Sequence, residues 1–231
     1  KFNVGLPIAL TMAVLAALAV GIVNAALVVV VGLTPLLATL ASSVAVVGIT
    51  KLITSHRRIN VDHPFINSIR DDSFIGIPIS VLIMLLVFLI IAFLIHQTPW
   101  GMRMQAVGGS RSAAEISGLK PAKYIAQSFF IASVIGAIAS VTIIARGSGS
   151  SPGTEDSLLI EMVLATFVGA AFSPRRVVTI WGALLGALLV NGLSNGFALM
   201  RVDIFWIGGI KGALILIVVA TAAIQRRGER S

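Results

Sequence analysis

The sequence predicts an all-α protein, a polytopic transmembrane helical bundle of about seven spans, and three observations predict it. Of 231 residues, 57% are hydrophobic and 11% charged, where a soluble domain carries about 25% charged residues. The apolar residues fall in repeated runs close to the roughly 20 that a helix needs to cross the hydrocarbon. Aromatic content is only 6% while Ala, Val, Leu, Ile and Gly dominate, which suits close helix packing better than the aromatic girdles of an outer-membrane barrel. Residues 1–231 therefore read as a single transmembrane domain. It begins at Lys1 without an initiator Met or a signal-peptide layout, so the expectation is a fragment.

The first span covers residues 5–31, interrupted strongly only by Asn24, and would be roughly 40 Å long as a helix. Gly32-Leu33-Thr34-Pro35 breaks it, because Pro lacks the amide donor and disfavours helix in the residue before it. Residues 36–54 are the second span. Residues 55–76 then gather His56, Arg57, Arg58, Asp62, His63, Arg70, Asp71 and Asp72, and this polar, irregular loop must lie outside the hydrocarbon. The third span is 77–95. Residues 100–123 form a second long polar loop, inside which Ser110 to Gly118 carries the signal of a short helix, started by Ser and closed by Gly; Ser112 and Glu115 have capping-box spacing. Spans four, five and six are 124–145, 158–172 and 177–200, the fifth short unless tilted or broken. The seventh is 205–224.

Seven spans put the termini on opposite sides. One side then collects Arg103, Arg111, Lys120, Lys123, Arg175, Arg176, Arg226, Arg227 and Arg230 against two acids, Glu115 and Glu229. The positive-inside rule places that side, with 100–123, in the cytoplasm and 55–76 in the periplasm. The net charge of +8 is thereby explained by topology and lipid head groups, and no nucleic-acid partner is expected.

Several chemistries have no support. Without cysteine there is neither a disulfide framework nor a thiolate metal site. His56, His63, Asp71 and Asp72 lack a compact ligand spacing and read as a solvated loop. Gly147-Ser-Gly-Ser-Ser-Pro-Gly153 matches neither a P-loop nor a dinucleotide fingerprint and reads as a turn outside the membrane, so ATP hydrolysis is not expected on this chain. No convergent nucleophile, base or metal set lies within the spans; the chain is expected to be no enzyme and to need no cofactor.

The segment 100–123 has two readings: a solvated connector, or a docking helix for a cytoplasmic partner. Ala106-Val-Gly-Gly-Ser-Arg-Ser-Ala-Ala-Glu-Ile-Ser-Gly-Leu119 resembles the cytoplasmic coupling segment of permease subunits in bacterial ABC importers for ribose and similar monosaccharides. Those typically read A-hydrophobic-G-G-N-x-x-A-A-x-x-S-G-I. Ser110 stands where Asn is usual, and either residue caps a helix. The resemblance continues in Ile77-Pro78, Gly182-x-x-x-Gly186-Ala187, Asn195-Gly196 and Lys211-Gly212-Ala213, and so spans the chain. It departs at 170–176, where the family is usually Gly-rich and this chain has Ala-Ala-Phe-Ser-Pro-Arg-Arg, and at Leu159, which takes the place of a usual acid with Glu161 two residues on.

That resemblance implies an ABC transporter permease for carbohydrate import in the bacterial inner membrane, carrying a monosaccharide or similar solute by alternating access. It implies three protein partners: a cytoplasmic ATPase subunit, a periplasmic sugar-binding protein and a second permease subunit, identical or not. It implies early spans before residue 1, since family members are typically about 90 residues longer there. It assigns Gly108, Gly109, Ser110, Arg111, Ala113, Ala114, Glu115, Ser117 and Gly118 to ATPase coupling. The alternative is a secondary transporter or channel, for which Lys211 or Glu161 inside a span would be a coupling element.

Within the spans Glu161, Phe167, Asn191 and Asn195 are the candidate substrate-pathway residues. Each has a structural reading beside it. Glu161 is placed to pair with Lys211, Phe167 to pack, and Asn191, Ser194 and Asn195 to hydrogen-bond between helices. Gly182 with Gly186, Gly192 with Gly196, and Gly208 with Gly212 are small-xxx-small steps, which fit an intrachain bundle or a homodimer seam equally.

Overall fold

The computed structural model describes residues 5–152, 154–171 and 178–200, with 209–210 and 212–213. The chain forms two compact units, residues 1–152 and 153–231. In the first unit the helices are α1 (Leu6–Val29), α2 (Pro35–Thr54), α3 (Pro64–Asp71), α4 (Ile79–Gln97), α5 (Pro99–Gly109), α6 (Arg111–Ile116) and α7 (Pro121–Gly147). Between them lie four two-residue strands, β1 (Ile59–Asn60), β2 (Ser73–Phe74), β3 (Ile77–Pro78) and β4 (Gly149–Ser150). The second unit contains α8 (Thr154–Ala171) and α9 (Ile180–Leu199).

Among the described residues five helices are long and apolar enough to cross a membrane: α1, α2, α4, α7 and α9 over Ile180–Phe197. The fifth run of the sequence is a shorter apolar helix, Leu158–Ala171 within α8. The seventh span, 205–224, lies outside the described residues except for 209–210 and 212–213, which are helical.

The α1–α7 pair is the spine of the first unit. Leu6 packs at the end of α7 near Ala145 and Val141, whereas a Cβ on Gly21 would lie 1.9 Å from Ser133 Oγ. The two helices therefore run antiparallel, and α1 needs the absence of a side chain at 21 to approach α7. Asn24 lies one turn further on the same face. It is 7% exposed, and its amide oxygen finds no donor among the described residues. Such a buried acceptor costs about 1–3 kcal/mol. Asn24→Leu, similar in volume and without the acceptor, is expected to stabilise the protein by ~1 kcal/mol, read as a higher denaturation midpoint in detergent; a lower midpoint would show that the amide has a structural partner.

Residues 55–78 are more ordered than the irregular loop expected from their polarity. Pro64 sits at the first position of α3, His63 Nδ1 accepts from Phe65 N at 3.2 Å, and Ile66 and Ile69, three apart, are buried against Ala145. A short amphipathic helix thus caps the bundle with its apolar stripe. β1 pairs with β4, matching Ile59 to Ser150 and Asn60 to Gly149, so residues 149–150 are a strand where a turn was expected. Gly149 has φ +150, and a Cβ there would lie 2.3 Å from Ile59 O, so glycine is required for the strands to close. Arg58 donates to Gly147 O, and Arg70 Nη1 donates to Ser148 Oγ at 2.6 Å. Both cations lie at the C-terminus of α7, where they complement its dipole.

In the second unit α8 and α9 are an antiparallel pair in backbone contact. A Cβ on Gly169 would lie 2.3 Å from Gly182 O, and one on Gly186 would lie 2.0 Å from Ala165 O. Leu164 and Val190 are buried at 1% and 2% exposure. Thr179 starts α9, its Oγ1 accepting from Gly182 N at 3.0 Å.

Candidate functional site

The end of the first unit opposite the α3 cap is built from residues 98–124, and two helices stand where one was expected. Pro99 ends α4 but also occupies the first position of α5, which tolerates its missing donor. Thr98 Oγ1 accepts from Gly101 N at 3.1 Å, so Thr98 caps α5. The turn is tight: a Cβ on Gly101 would lie 2.3 Å from Ile95 O and 2.4 Å from Leu94 O. Gln105 Nε2 donates to Ile95 O at 3.0 Å, satisfying a carbonyl at the end of α4. On the other side Trp100 Nε1 donates to Gln127 Oε1 at 2.8 Å, tying α5 to α7.

α6 is a six-residue helix, too short to persist alone in water. Its start is Ser110, whose Oγ accepts from Ala113 N at 3.3 Å. The Ser112–Glu115 capping box does not form, because Ser112 lies already inside the helix; Glu115 accepts instead from Arg111 Nε at 3.3 Å. The helix ends at Gly118, φ +78, with Leu119 N donating to Ala114 O, the left-handed closure that favours glycine. What holds α6 in place is Ala114, 4% exposed, in a small core with Val107 and Tyr124, flanked by Trp100, Met104 and Leu119.

Of the nine coupling candidates, Ala114 alone is buried. Gly108, Gly109, Ser110, Arg111, Ala113, Glu115, Ser117 and Gly118 are exposed, and no atom lies within 4 Å of a Cβ added at Gly108 or Gly109. Beside them Ile116 is 88% exposed, a large apolar side chain in a polar corner. The residues that position the segment (Thr98, Trp100, Gly101, Tyr124 and Gln127) were not singled out by sequence; the signal available was Thr98-Pro99, a capping residue before a first-turn proline.

The pathway candidates lie along α8 and α9. Glu161 is half-buried and Phe167 is 44% exposed. Six residues apart, they point to different sides of α8. Asn191 and Asn195 are exposed, and Asn191 Nδ2 donates to Ala187 O of its own helix at 3.0 Å. Ser194 likewise donates to Val190 O at 2.8 Å. Lys211, and with it the Glu161–Lys211 pair, lies outside the described residues. A cleft of about 390 Å³ between α1 and α2 is lined by apolar side chains and Ser42, whose hydroxyl donates to Thr39 O; it suits an acyl chain better than a polyol.

Of the metal candidates, His63 caps α3 and Asp71 pairs with Arg70 at 2.7 Å, while the neighbouring Asp62 accepts from Asn67 at 2.8 Å. The hydrogen bond from Arg70 holds the Asp71 carboxyl below its usual range. Its small contribution is present at neutral pH and is lost as pH falls through the lowered value.

A bundle of apolar helices capped at one end and carrying an exposed short helix at the other has the form of a multi-pass membrane protein. The chain belongs to the family described as branched-chain amino acid transport system, permease component, which matches residues 1–219. It is 31% identical over 188 residues to the ribose import permease protein RbsC of Bacillus subtilis, covering 80% of this chain and 58% of that one. It is 31% identical over 144 residues to the xylose transport system permease protein XylH of Haemophilus influenzae, 62% of this chain and 38% of that one. It is 27% identical over 218 residues to the L-arabinose ABC transporter permease protein AraH of Azospirillum brasilense, 94% of this chain and 64% of that one. These relatives bear out the resemblance to monosaccharide-type permeases and a multi-pass place in the cytoplasmic membrane. The chain spans less than two thirds of the length of each of them. No solved structure matches it.

Proposed function

We propose that this chain is part of the permease subunit of an ATP-driven importer that carries a monosaccharide or similar small polar solute by alternating access. The observation that carries the reading is the α5–α6 corner: a helix too short to stand alone, held by one buried alanine and exposed on its remaining surface, in a member of a permease family. A cytoplasmic ATPase would dock on that surface. When ATP draws the ATPase subunits together, α6 would move with them, and because α5 is bonded to both α4 and α7 the displacement would reach the spans. The binding protein would deliver solute at the α3-capped end, and a second permease subunit would complete the pathway. Gly108, Gly109, Ser110, Arg111, Ala113, Glu115, Ser117 and Gly118 form the docking surface in this reading, with Ala114 as its anchor. Glu161, Phe167, Asn191 and Asn195 are the pathway residues it retains.

The test is uptake in proteoliposomes containing the complete permease, an ABC ATPase and a sugar-binding protein from the same organism. ATP-dependent accumulation of a pentose or hexose, absent without either partner, is the expected result. Accumulation driven by an ion gradient with no ATPase present would make the protein a secondary transporter and overturn the reading.

A further inference from the structure

The hairpin that joins α3 to α4 has a tip whose chemistry differs from that of a water-facing turn. Ser73 pairs with Pro78 and Phe74 with Ile77, leaving Ile75 and Gly76 at the turn with φ +54 and +78. A two-residue turn with both φ positive favours Asn-Gly or Asp-Gly. Ile is β-branched, and its side chain crowds the backbone there, so its presence is an outlier. It is also not held by packing: Ile75 is 85% exposed, Phe74 64% and Ile77 44%. Residues 73–78 carry no charge, although Arg70, Asp71 and Asp72 precede them directly. An apolar residue placed in a strained conformation and turned away from the protein needs a surrounding other than water to account for it.

Its position supplies that surrounding. Pro78 is the N-cap of α4, and Ile79 N donates to Asp72 O at 3.2 Å, so the base of the hairpin is locked to the first residue of the span. α4 is the most apolar of the five candidate spans, with mean hydropathy 3.1 over a window none of which is buried within the protein. The hairpin, two residue pairs long, therefore stands directly at the start of that apolar helix, with residues 74–77 exposed and the charged run 70–72 before them. At that depth aromatic and aliphatic side chains are favoured in the head-group zone.

We infer that the Phe74–Ile75 tip inserts into the interfacial zone of the bilayer beside α4 and fixes the depth of that helix. The occupant is lipid, not a docking protein. Only α4's place as a span is assumed, and no cargo or ATPase enters.

The test uses spin labels on the complete permease in lipid nanodiscs, in single-cysteine variants Ile75→Cys and Asp72→Cys. This stretch has no native cysteine to compete for label. Collisions with oxygen, which concentrates in lipid, are expected to exceed those with a water-soluble nickel chelate several-fold at 75, and the order to reverse at 72. A label at Phe74→Cys should gain nickel access when Ile75→Asn is added, since Asn suits the turn but not the lipid. Nickel access dominating at 75 would place the tip in water and overturn the inference. Low access to both reagents, or nickel access lost only when the binding protein is added, would assign the tip to a protein contact and overturn it equally.

Discussion

Gly186→Leu is expected to separate α8 from α9, with a loss of about 3 kcal/mol or more from the second unit. The basis is that the nearest atoms are backbone. A first side-chain carbon at 186 would lie 2.0 Å from Ala165 O and 2.8 Å from Gly169 N, and one at 182 would lie 2.4 Å from Gly169 O. Ordinary carbon contacts are about 3.5–4.0 Å, so the helices must part by more than 1 Å, and a carbonyl cannot rotate aside as the end of a flexible side chain can. Parting them also opens the packing around Leu164 and Val190. Gly186→Ala should cost less in the same direction. Gly192→Ala and Gly196→Ala, where nothing lies within 4 Å, should instead be neutral or stabilising by up to about 1 kcal/mol each, because Ala restricts the unfolded chain more than Gly does. Denaturation of the four variants in mild detergent checks this. Equal effects at 186 and 192 would mean that the α8–α9 seam is not where the close approach occurs.

That contrast shows what the sequence made legible and what it did not. Small-xxx-small spacing marked 182/186 and 192/196 alike, since spacing reports that a close approach is permitted without naming a partner. The partner, Gly169, sits in Val168-Gly-Ala-Ala171 and was not singled out. Five of the seven expected spans are long apolar helices among the described residues, legible because lipid leaves a backbone few options but the helix; the fifth run is a shorter helix, and the seventh lies outside the described residues but for four positions. The α3 cap was not. Eight residues with four polar or charged members look like a loop by composition, and the Ile66–Ile69 stripe is only one pair long. The β1–β4 pairing joins residues about ninety positions apart through four backbone positions, with Gly149 as its one local trace. At the α5–α6 corner the motif 106–119 marked the surface, whereas the support from Trp100, Tyr124 and Gln127 is tertiary and has no local pattern.

Because surface and support are separate residues, the coupling proposal can be tested without confusing docking with folding. Ile116→Asp is expected to leave the permease folded and membrane-inserted, since the side chain is 88% exposed. It should nevertheless lower solute-stimulated ATP hydrolysis and uptake by at least roughly tenfold, as burying an isoleucine against a partner is worth about 1.5–3 kcal/mol. Gly109→Trp should act in the same way by bulk, because open space surrounds that Cβ. Ala114→Arg should behave differently. Its site is 4% exposed between Val107 and Tyr124, and a buried unpaired charge there expels α6 from the corner, so transport is lost together with local order. The readings that separate the cases are proteolysis at 108–118 and ATPase activity measured on the same preparations. Ile116→Asp should resist protease as the parent does while losing stimulated hydrolysis, and Ala114→Arg should fail both. If Ile116→Asp and Gly109→Trp hydrolyse ATP and transport solute at the parent's rate, the exposed side of α6 is a solvated connector, and the drive must enter the bundle elsewhere.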